Sequence, residues 1–227
     1  MKYYLYVSVI LTVAFILYAP CPAAEIDMHF ENGKRAAKEE IGKFVKGQTL
    51  APHHQEMGFE TQDDIDHAKI GMGFPVFTVD TDKMLDDTVP WDESFIIPTD
   101  RLYFIVVAGK KAITFLQMHF VDGTWAFAEM GGADRAKAVQ RILMTWPVSS
   151  GYRYRYIRVY PIITDSIEIS RGKTRIGIIP LSTLVDKPGK AIDSSDLQDP
   201  NEYWARFRPI IKKHIEGYRK MRQIRSK

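Results

Sequence analysis

The sequence predicts an α+β fold: a mostly antiparallel sheet (a meander plus a hairpin) with N-terminal, central and C-terminal helices packed on one face. Three observations carry this. Three strand-like runs, RLYFIVV, KAITFLQMHF and TWAFAEM, follow one another from residue 101. Only Ala108-Gly109-Lys110 and Val121-Asp122-Gly123 separate them, and turns that short join antiparallel neighbours. Segments with apolar residues at helical spacing stand before, between and after the strand runs, which is the α+β order.

The chain opens on MKYYLYVSVILTVAFILYAPCPAA, which predicts a cleavable secretory signal over residues 1–24. Lys2 supplies the positive end, and Leu5 to Leu17 form an apolar stretch shorter than the roughly 18–20 residues a bilayer span needs. Pro20 and Pro22 break the helix, and small residues follow, placing cleavage after Ala23 or Ala24. The expectation is an exported chain, periplasmic or extracellular, whose residues 25–227 form a single domain with no transmembrane span. Cys21 is the sole cysteine. Once it leaves with the signal, disulfides, thiolate nucleophiles and thiolate metal sites are excluded. With 45% hydrophobic residues among 227, core packing supplies the stability.

Asp27 is the expected cap of a first helix reaching Lys46, with Phe30, Ala37, Ile41 and Phe44 on one face. Thr61 and Asp64 have capping-box spacing and predict a short helix ending at Gly71. GFPVFTVD reads as a strand, and Thr81 to Asp87 as a turn or a single helical turn. Leu102 to Val107 is apolar on both faces, as in a strand covered on two sides. Gly131-Gly132 turns the chain into the helix ADRAKAVQRILMTW. Tyr152–Ile163 and Ser166–Ile179 follow as strands, the second folded back at Arg171-Gly172-Lys173. Residues 186–201 are rich in turn formers, and a basic helix begins near Asn201.

Candidate sites are few. His53, His54, Glu56 and His67, near Asp63, Asp64 and Asp66, have the ligand types of a zinc or copper site but no ligand spacing such as HExxH. Tyr152, Arg153, Tyr154, Arg155 and Tyr156 alternate along a strand, tyrosines on one face and arginines on the other. They are the ligand-binding candidate, for a glycan or an anion, with ordinary cross-strand packing the stronger reading of the tyrosines. Ser170 and Lys173 match the S-x-x-K spacing, but they straddle a hairpin turn where that chemistry requires a helix start. Gly131-Gly132 could offer amides to a phosphate, yet Asp134 already occupies the positive end of the helix dipole.

Charge is unevenly spread. Residues 201–227 hold nine Lys and Arg against Glu202 and Glu216, or +7, so with Lys2 removed residues 25–200 carry −5 of a net +2. Trp204, Phe207, Ile211, Ile215 and Tyr218 form an apolar stripe on that helix, with Pro209 expected to kink it. Arg219, Lys220, Arg222 and Arg225 in the tail are the candidate for docking on an anionic envelope surface or an acidic protein partner. No nucleic acid partner and no cofactor is implied. The functional expectation is a non-catalytic binding module of the cell envelope or exterior. The alternative is an extracytoplasmic hydrolase or metal-binding protein using histidine and carboxylate residues.

Overall fold

The computed structural model describes residues 22–47, 54–89, 91–187 and 189–225. Seven strands, β1 (Ala68–Val79), β2 (Ile96–Ala108), β3 (Lys111–Val121), β4 (Thr124–Gly131), β5 (Tyr152–Val159), β6 (Thr164–Arg171) and β7 (Thr174–Pro180), form one sheet. Their order is β4-β3-β2-β1-β5-β6-β7. Neighbours are antiparallel except β1 and β5, which run parallel and share two registered pairs, Val76 with Tyr156 and Phe77 with Ile157. Two antiparallel meanders thus meet at a short parallel seam, and the α+β expectation holds.

The helices are α1 (Pro22–Lys46), α2 (Gln62–Asp66), α3 (Thr81–Leu85), α4 (Ala133–Thr145), α5 (Leu181–Val185) and α6 (Pro200–Arg225). Thr61 and Asp64 form the capping box that opens α2. Several boundaries differ from the sequence reading, and two of them have a local cause. Helix α1 starts at Pro22, not after Asp27, since proline suits a first turn whose amides lack intrahelical partners anyway. Helix α2 stops at Asp66, because Ala68 to Gly71 belong to β1 and pair with β2. Residues 1–21, with the signal's apolar stretch and Cys21, lie outside the described residues.

Register decides which side chains share a face. Leu102 and Phe104 of β2 stand opposite Met118 and Leu116 of β3, and this set packs with Ala37 and Ile41 of α1. Tyr103 and Ile105 alternate to the other side, where Phe115 joins them under Val139 and Ile142 of α4. Helices therefore cover both faces, where the sequence pattern had placed them on one. The two-sided apolarity of β2 is the physical reason, since a strand of that kind needs cover on each side. On the α1 face the sheet and helix are in close contact at Gly33, where a Cβ would strike Leu102 and Trp125.

Helix α6 covers the second meander on that same α1 face. Trp204 and Ile211 are fully buried against Ile157, Val159 and Ile178, with Tyr203 beside them. Each such side chain contributes roughly 1.5–3 kcal/mol. The helix runs through Pro209 without ending. Arg208 fixes its position by donating to the carbonyl oxygens of Met84 (3.2 Å), Val89 (2.9 Å), Lys83 (3.2 Å) and Asp86. A residue counted in the basic charge is thus a cap for the end of α3.

Candidate functional site

Strand β5 divides the ligand-binding candidate between the two faces. Tyr156 is fully buried on the α4 face, its ring centroid 5.0 Å from that of Tyr103 and 5.7 Å from that of Phe115. Tyr152 and Tyr154 pack against the same core. Tyr156 is therefore a core residue, and Tyr152 and Tyr154 are half-buried against the same core; alternation places the three together on the side that α4 covers. Burial pushes the Tyr154 phenol up to about 12 and the Tyr156 phenol well above its ordinary value.

Arg153 and Arg155 face the α1 side. Arg155 donates twice to Oε1 of Glu168, through Nε at 2.8 Å and through Nη2. Arg175 donates to Oε2 at 2.8 Å. Glu168 is 2% exposed, so its charge survives burial because both oxygens are taken by guanidinium donors. Arg153 is exposed at the rim of a surface hollow that Arg155, Glu168 and Arg175 also line.

A second cluster, which sequence reasoning did not find, lies on the α4 face at the start of α4. Gly132, with φ of 76°, is the N-cap of that helix, and the Arg135 guanidinium folds back to 2.6 Å from where a Cβ would stand. The positive φ is what favours glycine there, since the arginine end could move aside from a Cβ. The freed path lets Arg135 Nη1 donate to Asp165 Oδ2 at 2.6 Å, and Arg158 Nη1 approaches the same carboxylate at 3.4 Å. Tyr160 lies between two further cationic contacts, Arg101 at 5.0 Å and Arg158 at 5.7 Å from its ring centroid. His119 is the cross-strand neighbour of Arg101.

Four buried polar atoms in this cluster have no hydrogen-bond partner among the described residues: the hydroxyls of Tyr103, Tyr156 and Tyr160, and Nε2 of His119. Nine such atoms occur among the described residues, so this one patch gathers nearly half. An unpaired buried polar group costs about 1–3 kcal/mol, so four together are a costly arrangement unless something meets them. Burial raises the phenols of Tyr103 and Tyr160, with nearby arginines opposing, so all three tyrosines remain O–H donors at neutral pH. Burial and then Arg101 lower the His119 imidazole, which keeps it neutral. Next to the cluster, Ile163 adopts φ of 48° at 74% exposure. For a β-branched residue this is strain of about 1–3 kcal/mol, stored in the turn between Tyr160 and Asp165.

The other sequence candidates are not gathered into a site. His67 pairs with Asp63 on its own helix, with Nδ1 3.0 Å from the carboxylate. The His54 carbonyl closes a turn by accepting from the Phe59 amide at 2.9 Å, and Glu56 lines a surface hollow with Glu60 and Lys137. His53 lies outside the described residues. Among the described residues no three His, Cys, Asp or Glu side chains are placed to share a metal ion. In the tail, Arg219 pairs with Asp82 at 3.2 Å, as Lys212 does with Asp87, so part of the basic charge meets the acidic loop around α3. Lys220 is exposed. Arg222, Arg225 and Tyr218 lie, as side chains, outside the described residues.

No helix among the described residues is long and apolar enough to cross a membrane. Comparison of the chain with protein-family models, with curated proteins and with solved structures finds no match.

Proposed function

We propose that this protein is a non-catalytic binding module that takes a small organic acid at the Arg101–Arg135–Arg158 cluster, and that it works outside the cytoplasm. One observation carries the reading: four buried polar atoms without a hydrogen-bond partner beside three guanidinium groups that, among the described residues, only Asp165 directly balances. A carboxylate ligand answers both needs. Its charge meets the cationic surplus, and its oxygens accept from phenol hydroxyls that burial keeps protonated. Catalysis is less well supported. Asp165 is engaged by two arginines rather than poised as a base, and His119 Nε2 has no hydroxyl or thiol within hydrogen-bond distance among the described residues. The export half rests on the leader, and cleavage at Ala23 or Ala24 leaves intact α1 from His29 onward, where its ring meets Phe120 at 4.3 Å.

Titration calorimetry with succinate and citrate tests the binding. Heat that falls at least tenfold in affinity with Arg158→Gln is expected; no heat from either acid sinks the reading. Export is tested by intact mass after expression with the native leader, where a chain beginning at Ala24 or Glu25 is the expected product.

A further inference from the structure

We infer that the hollow on the α1 face around Arg153, Lys173 and Arg175 is a second binding site, and that it takes a phosphate monoester. The hollow measures about 440 Å³ and is also lined by Arg155, Glu168 and Glu93, a size within the range of small-molecule sites. It lies on the opposite face of the sheet from the Asp165 cluster, so either site can fail without the other.

Its charges do not cancel. Four cations surround the space and two carboxylates face them, a surplus of two positive charges. Glu168 is fully used in holding Arg155 and Arg175. Glu93 is 59% exposed and reaches these guanidiniums only at 3.6 and 3.5 Å, longer than a charged hydrogen bond. Arg153 and Lys173 have no carboxylate partner among the described residues, yet both border the same hollow. Like charges held around one space repel unless an anion joins them.

The donors left over specify the anion. Arg175 Nε is buried without a hydrogen-bond partner, with Glu93 Oε1 3.5 Å away as a long ion-pair contact. Ser170 stands between Arg153 and Arg175 in the strand register. With the Arg153 fork and the Lys173 ammonium, these donors approach from more directions than the two oxygens of a carboxylate can accept. A phosphate monoester carries about −1.5 to −2 at neutral pH and presents three acceptor oxygens, matching both the charge surplus and the donor set. The tight hairpin turn at Gly172, with φ of 61°, holds Lys173 over the opening. The Glu168 triad acts as the rigid floor that fixes the two inner arginines.

The experiment titrates the full mature chain with glycerol phosphate, with acetate, and with phosphatidylcholine vesicles with and without phosphatidic acid. Glycerol phosphate is expected to bind at least tenfold more tightly than acetate. Arg153→Gln combined with Lys173→Gln, both exposed and so harmless to folding, is expected to weaken it at least tenfold, while Arg158→Gln leaves it unchanged. Binding to phosphatidic acid vesicles but not to glycerol phosphate, lost in the double variant, supports the same site with a lipid headgroup as the source. Equal binding by wild type and double variant, acetate binding as tight as that of glycerol phosphate in the Arg158→Gln chain that lacks the organic-acid site, or no binding of either phosphate probe overturns the proposal.

Discussion

Asp165 and Glu168 lie three residues apart on β6 and on opposite faces of the sheet, and each is held by two arginines. The resemblance ends there. Glu168 is saturated: both oxygens accept charged hydrogen bonds, and its surplus charge sits outside, on the rim. Asp165 takes one short bond from Arg135 and a looser approach from Arg158, and the unmet groups around it are buried neutral donors. One arrangement is finished as architecture and open only at its edge. The other is open at its centre. A buried ion cluster that satisfies itself contributes rigidity; one that leaves its neighbours unpaired has to be completed by water or a ligand.

The largest expected effect tests the first half of this contrast. Glu168→Gln leaves two guanidiniums competing for a neutral amide and should lower unfolding free energy by about 3–5 kcal/mol in denaturant titration. Asp165→Asn should cost less, about 1–3 kcal/mol, because Asp165 accepts one short bond and one long approach where Glu168 accepts three charged hydrogen bonds. Equal losses at the two positions would erase the distinction.

A smaller effect, with a change of sign, sharpens it. The Tyr203 hydroxyl is hydrogen-bonded to Ser166 at 2.7 Å, so Tyr203→Phe should cost about 1–2 kcal/mol. Tyr156→Phe deletes a hydroxyl with no partner and should be neutral or stabilising, while weakening organic acid binding. A clear loss of stability in Tyr156→Phe would mean that the hydroxyl is satisfied after all.

The pH dependence follows from His119. Its folded pKa lies below the unfolded value of about 6.5, so the unfolded chain takes up the proton first. The stability it contributes is complete above that pH and is lost as pH falls below it. Thermal unfolding of the wild type should therefore drop further between pH 7 and pH 5 than that of His119→Gln. Arg101 reinforces this direction, while Asp100 and Glu129 oppose it. The smallest effect belongs to the tail: Arg219→Ser breaks an exposed pair with Asp82 and should change stability by less than about 0.5 kcal/mol.

Much of the fold was legible because its signals are local. The three-strand run, the Thr61–Asp64 capping box and the apolar stripe of α6 each depend on residues within a few positions of one another. The two-sided helical cover was half legible, since β2 displays apolar residues on both faces although no segment says which helix goes where. The Asp165 cluster was not legible. Arg135 and Asp165 are thirty residues apart, and Arg101 and Tyr160 meet only because β1 and β5 lie side by side. No periodicity encodes a parallel pairing between strands separated by three others and two helices. The β5 candidate shows the converse limit: alternation correctly separated tyrosines from arginines, and only packing tells which set faces a core.

The seam between β1 and β5 has a consequence for how the molecule comes apart. Each meander is laced internally by long antiparallel ladders, whereas the two are registered to one another at Val76–Tyr156 and Phe77–Ile157 alone. What else joins them is side chains: Phe74, Tyr103 and Phe115 against Tyr156, the Arg135–Asp165 pair, and Arg208 on the carbonyls around α3. In mechanical terms this is a tear line, held by side-chain contact rather than by a backbone ladder. A chain cut in the loop between α4 and β5 would yield two pieces that each keep their own backbone pairing. Their reassembly would draw on apolar burial and on the polar ties from Arg135 and Arg208, and the burial part would strengthen with salts that favour burial and weaken on cooling.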